Sequence, residues 1–223
     1  MLIFDGDDTL WENNILFERV IDDVMELVDP VHPRPSVRAH LNRIERKNSD
    51  RYGYGVEIFQ ISLLEMLTHY HDESTREADV ALIGDLCRGI VEAPLELIDG
   101  VPETLASLSR RNELLLLTKG HTAEQRAKID ASGLSRFFDD VLIVPEKTVA
   151  VYEELVGKRD TGPERTWMIG NSPRSDILPA RAAGLGTVLI PHHATWELEV
   201  AEVPPQDERF RVVETFPSLT GLF

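Results

Sequence analysis

The feature that most constrains the fold of this 223-residue chain is a change of rhythm near residue 99. From there on, short runs of consecutive apolar residues alternate with segments of helical spacing. The runs at 113–118, 141–144, 166–169 and 187–190 have strand length and are apolar on both faces. Between them, 122–132, 149–156 and 177–183 space their apolar residues as helices do, and 102–110 precedes them with the same pattern. Gly133 and Gly184 stop two of these helices. Strands that do not alternate, joined by helices, form a parallel sheet covered on both faces. Leu2-Ile3-Phe4 is a further buried strand, and 211–213 a last short one.

Residues 13–97 break this pattern, because they carry helical spacing alone. Helices are expected at 13–28, closed by Asp29-Pro30, at 36–49 with Ser36 as N-cap, at 56–70 and at 75–91. The expected fold is a doubly wound, Rossmann-like α/β core from 1–12 and 98–223, interrupted by a helical domain at 13–97. In such sheets the chemistry sits at the carboxyl ends of the strands, so the polar residues there should converge.

Charge and cysteine content narrow the partners. Lys+Arg 23 against Asp+Glu 39 gives a net charge of −16, which argues against a grip on nucleic acid or an anionic membrane. Cys87 is the single cysteine, so an intrachain disulfide and a cysteine zinc cluster are excluded, and its apolar helix makes it a core residue. The opening MLIFDGDDTLW has neither the basic nor the apolar stretch of a secretory signal, and no run approaches the ~18 apolar residues of a membrane span. A cytoplasmic protein is expected.

The strand ends supply Asp5-Gly6-Asp7-Asp8-Thr9, then Thr118-Lys119-Gly120, then Lys147, then Gly170-Asn171-Ser172 with Asp176 beyond. Asp5 and Asp7 lie two apart in a turn and can face one pocket. Closely spaced carboxylates repel unless a cation joins them. A hard cation with oxygen ligands answers this, and Mg²⁺ suits an open site that also holds phosphate, with Asn171 and Asp176 completing the oxygen set.

This combination resembles the haloacid dehalogenase-like superfamily of phosphohydrolases. Asp5–Thr9 fits its Asp-x-Asp-x-Thr motif, Thr118 its second-motif hydroxyl, Lys147 its third-motif lysine, and Gly170 to Asp176 its acidic fourth motif. The helical insertion after the first motif resembles the cap of one large branch. The resemblance implies that Asp5 attacks phosphorus to form an aspartyl-phosphate, and that Asp7 protonates the leaving alcohol and then activates water. It also implies that Thr118 and the N–H groups of Lys119 and Gly120 hold phosphate oxygens, and that Lys147 pairs with Asp5 and phosphate. Mg²⁺ would take Asp5, the Asp7 carbonyl, Asn171 and Asp176. Two departures stand out: Asp8 where many relatives have glycine, and Asn171 where many have Asp.

Arg51-Tyr52-Gly53-Tyr54-Gly55 reads as a loop between cap helices and resembles the family's substrate-selecting loops, with Arg51 for a second anion and Tyr52 and Tyr54 to stack on a ring. Trp11 and Glu12 are placed at the core–cap hinge, and His192-His193 in a surface loop. The function implied is a Mg²⁺-dependent phosphatase of a small phosphorylated metabolite. The alternatives are a phosphomutase of the same fold, or a catalytically silent binding protein with Asn171 marking metal loss. A hydrolytic dehalogenase fits less well, because halide needs no proton from Asp7. Monomer and homodimer are both open.

Overall fold

The computed structural model describes residues 1–28, 30–159 and 161–223. After β1 (Leu2–Phe4) come four helices, α1 (Asn14–Met25), α2 (Arg34–Tyr52), α3 (Val56–Tyr70) and α4 (Arg76–Glu92). Then follow α5 (Val101–Leu108), β2 (Leu114–Lys119), α6 (Thr122–Ser132), β3 (Asp140–Val144) and α7 (Val149–Gly157). The chain ends with β4 (Trp167–Gly170), α8 (Leu178–Ala182), β5 (Gly186–Leu189) and β6 (Phe210–Val212). It divides into two compact units, one of Met1–Asn14 with Leu95–Phe223 and one of Ile15–Pro94.

The first unit is built on one parallel six-stranded sheet in the order β3-β2-β1-β4-β5-β6. Both faces of its centre are buried, and the pleat sorts consecutive residues between them. Leu2, Phe4, Leu114 and Leu116 pack on one side, and Ile3, Leu115, Leu117 and Met168 on the other. This is why these strands read as unbroken apolar runs. The strand order reverses at β1, which pairs with β2 through Leu2↔Leu114 and with β4 through Leu2↔Trp167. In sheets of this kind a binding crevice is expected at that switch, beyond the strand ends.

The second unit packs α1 to α4 around Val24, Leu41, Leu63, Met66, Ile83 and Cys87. Burial pushes the Cys87 thiol up to about 11, the behaviour of an inert core residue. No helix among the described residues is long and apolar enough to cross a membrane.

Several expected boundaries move. Ser36 is not an N-cap: α2 starts at Arg34 behind Pro33, because Pro35 suits a first turn that needs no N–H there. The same helix runs through Arg51 and Tyr52, so the break before α3 is confined to Gly53-Tyr54-Gly55, where Gly53 takes φ +85° and Gly55 φ +134°. α1 ends at Met25, and of the Asp29-Pro30 stop, Asp29 lies outside the described residues. The helix expected from 177 is preceded by a π-turn at Pro173–Ile177. Asn13, Asn14 and Leu95 to Leu97 go with the α/β unit rather than with the helices. Backbone pairing draws them in: Glu12 N–H donates to Glu96 O at 2.9 Å, and Ile98 N–H to Leu10 O at 3.0 Å.

Candidate active site

Asp5 leaves β1 with its amide bonded to Ile169 O of β4 at 2.9 Å, so its side chain stands at the switch. The Lys147 ammonium joins it at 2.5 Å and reaches Asp176 Oδ1 at 2.7 Å. All three are buried. Burial, then the negative charge of Asp176, push the Asp5 carboxyl up to about 7 against the pull of Lys147. Burial likewise raises Asp176. Burial alone would lower Lys147, but the carboxylates of Asp176 and Asp5 outweigh it and hold the ammonium above its usual range. Two buried carboxylates facing one ammonium leave the cluster a positive charge short. A hard divalent cation fits that deficit and the oxygen donors around it.

Asn171 is oriented by Thr9. The Thr9 hydroxyl donates to Asn171 Oδ1 at 3.2 Å and accepts the Asn171 backbone N–H at 3.1 Å, which fastens the turn after β1 to the turn after β4. The Asn171 amide nitrogen donates to Thr195 Oγ1 at 3.4 Å, leaving its oxygen as the ligand-capable atom. Asp176 carries a donor on each oxygen, Lys147 on one and Ser172 N–H on the other at 3.0 Å. Its side chain is wholly buried.

Asp7 is held by three side chains. Trp11 Nε1 donates to it at 2.7 Å, Gln125 Nε2 at 3.1 Å, and Lys128 Nζ to both oxygens at 2.8 and 3.0 Å. Gln125 also reaches Thr118 Oγ1 at 2.5 Å and Lys119 O at 3.0 Å. With Gln125 donating to it, the Thr118 hydroxyl has its own proton free to donate onward.

Lys119 turns its side chain to Ser175 Oγ at 2.9 Å and Glu199 Oε1 at 2.5 Å. Glu199 accepts from both Ser172 Oγ and Ser175 Oγ. Burial would raise its carboxyl, but Lys119 and the serines hold it below the usual range. Tyr152 donates to Ser175 O at 2.9 Å. The turn after β4, capped by Ser172 taking the Ser175 N–H, is thus fixed from four directions.

Gly120 requires a correction. Its N–H donates to Val144 O at 3.1 Å, because the β2–β3 ladder runs one residue past the strand, so it is not a phosphate donor. Arg51, Tyr52 and Tyr54 belong to the helical unit, where the Arg51 guanidinium lies 5.0 Å over the Tyr52 ring.

A family model for the haloacid dehalogenase-like hydrolases matches residues 1–184. The chain belongs to that family. Among solved structures, a haloacid dehalogenase-like hydrolase from Xanthomonas campestris superposes with TM-score 0.83 at 29% identity, covering 99% of this chain and 92% of the other. Among curated relatives, the HAD-hydrolase YfnB of Bacillus subtilis is 32% identical over 117 residues, 50% of each chain. A glyceraldehyde 3-phosphate phosphatase of Methanothermobacter thermautotrophicus is 30% identical over 103 residues, 42% of this chain and 46% of its own. The chain spans about half the length of the curated relatives it matches.

Within this haloacid dehalogenase-like hydrolase, Asp8 takes φ +57°, a left-handed conformation that glycine adopts freely and Asp tolerates. Its Oδ1 accepts from Asn13 N–H and Asn14 N–H at 2.9 Å each, so the side chain caps the entry to α1. Burial, opposed by these bonds, pushes its carboxyl up to about 7. His192 is not the surface residue expected. Its side chain is 10% exposed, Nε2 is 3.0 Å from Glu12 Oε2, and Nδ1 accepts from Ala194 N–H at 3.3 Å. With Asp8 these groups brace the segment leaving β1 against the loop after β5.

Gly170 is where backbone and side chain approach most closely. A Cβ there would stand 2.1 Å from Asp176 Oδ2, and Asp176 cannot yield while Lys147 and Ser172 hold it. Gly170→Ala is expected to destabilise the fold by about 1–3 kcal/mol, as overpacking does. Unchanged urea midpoints for wild type and variant would contradict this close packing.

Sequence reasoning missed Gln125, Lys128, Tyr152 and Glu199. The first three sit on helices and Glu199 in a short helical turn; Gln125 and Lys128 stand among polar neighbours that read as a solvated face, and Tyr152 among apolar ones that read as core. No local signal separates them from those neighbours.

Proposed function

We propose that this hydrolase is a Mg²⁺-dependent phosphatase acting on a small phosphorylated metabolite through an aspartyl-phosphate on Asp5. The observation that carries the reading is the Asp7 carboxylate, held beside Thr118 by the shared Gln125. A carboxyl group there can supply the proton that an alkoxide leaving group needs and a halide does not. Relatives described as a glyceraldehyde 3-phosphate phosphatase and a pyrimidine 5'-nucleotidase, 30% and 34% identical, support it.

In this reading Asp5 attacks phosphorus in line, and the ester oxygen leaves with a proton from Asp7. Asp7, now a carboxylate, takes a proton from water. That water opens the acyl phosphate, releasing inorganic phosphate and restoring Asp5. To do either, Asp7 exchanges one of its present donors for the substrate oxygen or the water. Lys147 holds Asp5 in the attacking orientation, and the Thr118 hydroxyl donates to a phosphate oxygen. Asp5, the Asp7 carbonyl, Asn171 and Asp176 are the residues that would hold Mg²⁺, which supplies charge neutralisation for the phosphate. Arg51, Tyr52 and Tyr54 are assigned to substrate selection.

The test is a panel of phosphate monoesters and 2-haloacids, assayed for free phosphate and free halide with and without chelator. Phosphate release that stops on chelation and returns with Mg²⁺ is expected. Halide in place of phosphate overturns the reading in favour of a dehalogenase. Neither product overturns it in favour of a silent binding protein.

A further inference from the structure

We infer that Lys128, with Gln125 beside it, is a positioning residue for Asp7. The inference rests on the phosphatase reading, and it assigns a catalytic support to a helix that contributes to none of the four strand-end motifs.

The two side chains leave α6 three residues apart, on the face turned to the ends of β1 and β2. Lys128 Nζ grips both Asp7 oxygens, at 2.8 and 3.0 Å, and is itself steadied by Asn13 Oδ1 at 2.7 Å. A group bonded to both oxygens fixes the rotation of a carboxylate, which a single donor does not. The pair is partly shielded, with side chains 26% and 25% exposed, so it is neither a fully solvated surface bridge nor a dry core pair. Gln125 adds direction. Its Nε2 has two protons for three acceptors, Asp7 Oδ2, Thr118 Oγ1 and Lys119 O. When Asp7 gives up that contact, Gln125 still has Thr118 and Lys119 to bond. The brace therefore releases one side of Asp7 at no loss of hydrogen bonding, while Lys128 and Trp11 keep its place. Trp11, wholly buried, donates to the same Oδ1 that Lys128 grips, so the indole reports where that oxygen is.

The experiment compares wild type, Lys128→Met and Lys128→Arg on p-nitrophenyl phosphate and on an alkyl phosphate. Nitrophenolate leaves without a proton and an alkoxide does not, so a misplaced Asp7 penalises the alkyl ester. In Lys128→Met, kcat/KM for the alkyl ester is expected to fall at least about tenfold further than for the nitrophenyl ester. Lys128→Arg, which keeps the charge and can bond both oxygens, is expected to recover most of the loss. Equal falls on both esters mean a structural role and overturn the inference. A relative gain on the alkyl ester overturns it too, since it makes Lys128 an electrostatic opponent of proton donation. The Trp11 indole N–H resonance is followed in the same variants. It is expected to move in Lys128→Met and stay in Lys128→Arg. If wild type hydrolyses neither ester, the phosphatase reading fails and the resonance alone decides: a fixed Trp11 signal in Lys128→Met overturns the brace.

Discussion

Lys147→Met is expected to remove about 3–5 kcal/mol of stability from the α/β unit. The lysine is 1% exposed in its side chain and is the shared partner of Asp5 and Asp176, themselves 10% and 0% exposed there. Methionine fills much the same space, so packing changes little. What changes is that two buried carboxylates face each other with no cation between them. Protonation of one of them can relieve the repulsion only in part, because burial also separates each from water. The loss is read from urea unfolding followed by tryptophan fluorescence. All three tryptophans, Trp11, Trp167 and Trp196, lie in this unit, so the signal reports it alone. Adding Asp176→Asn to Lys147→Met should restore at least about 1 kcal/mol, since the pair then carries one charge instead of two. A single-variant loss under about 1 kcal/mol would show that the lysine is not the keystone of the cluster.

Asp5→Asn should do the reverse: keep the fold and lose the chemistry. The amide has nearly the shape of the carboxylate, and it removes the buried charge that faces Asp176, whose own negative charge raises the affinity of Asp5 for a proton. Its midpoint in urea should stay close to wild type. It has no nucleophilic oxyanion, so turnover is expected to fall by about 10⁴-fold or more, the scale on which removal of an attacking group acts. Substrate binding, measured by calorimetry with the variant, should survive. Retention of a tenth of the activity would falsify the assignment of Asp5 as nucleophile and move attention to a water-based attack.

Much of this site was legible because a parallel sheet announces its own functional edge. Asp5, Thr118, Lys147, Asn171 and Asp176 all follow apolar runs, and the fold brings such positions together whatever their distance in sequence. Lys147 meets Asp5 and Asp176 across large stretches of chain for this reason. Helix-borne groups were not legible. Nothing in Thr122–Ser132 distinguishes Lys128, which grips a carboxylate, from the polar residues around it. Gly120 misled for a different reason. The family resemblance implied a phosphate-binding N–H there, but hydrogen bonding with β3 continues through it. Helix ends in the inserted unit moved by a few residues, because prolines at 33 and 35 and glycines at 53 and 55 set them more firmly than the polar residue at 36 did. His192 was misjudged because burial of a loop histidine depends on Asp8 and Glu12, far away in sequence.

The place of β1 has a consequence for how the chain is made. It lies at the middle of the sheet, yet both neighbours are encoded far downstream, with Leu2 waiting for Leu114 and then for Trp167. At synthesis rates of about 5–20 residues per second, roughly 8–30 s pass before the second neighbour exists. Helices α2 and α3, by contrast, are close in sequence and pack on each other. A nascent chain can therefore assemble its helical unit while the strand that leads to Asp5 is still unpaired on both edges. The Asp5 carboxylate takes up its buried setting only when the sheet closes around it, so its cluster with Lys147 and Asp176 forms as one of the last events of the chain's own folding.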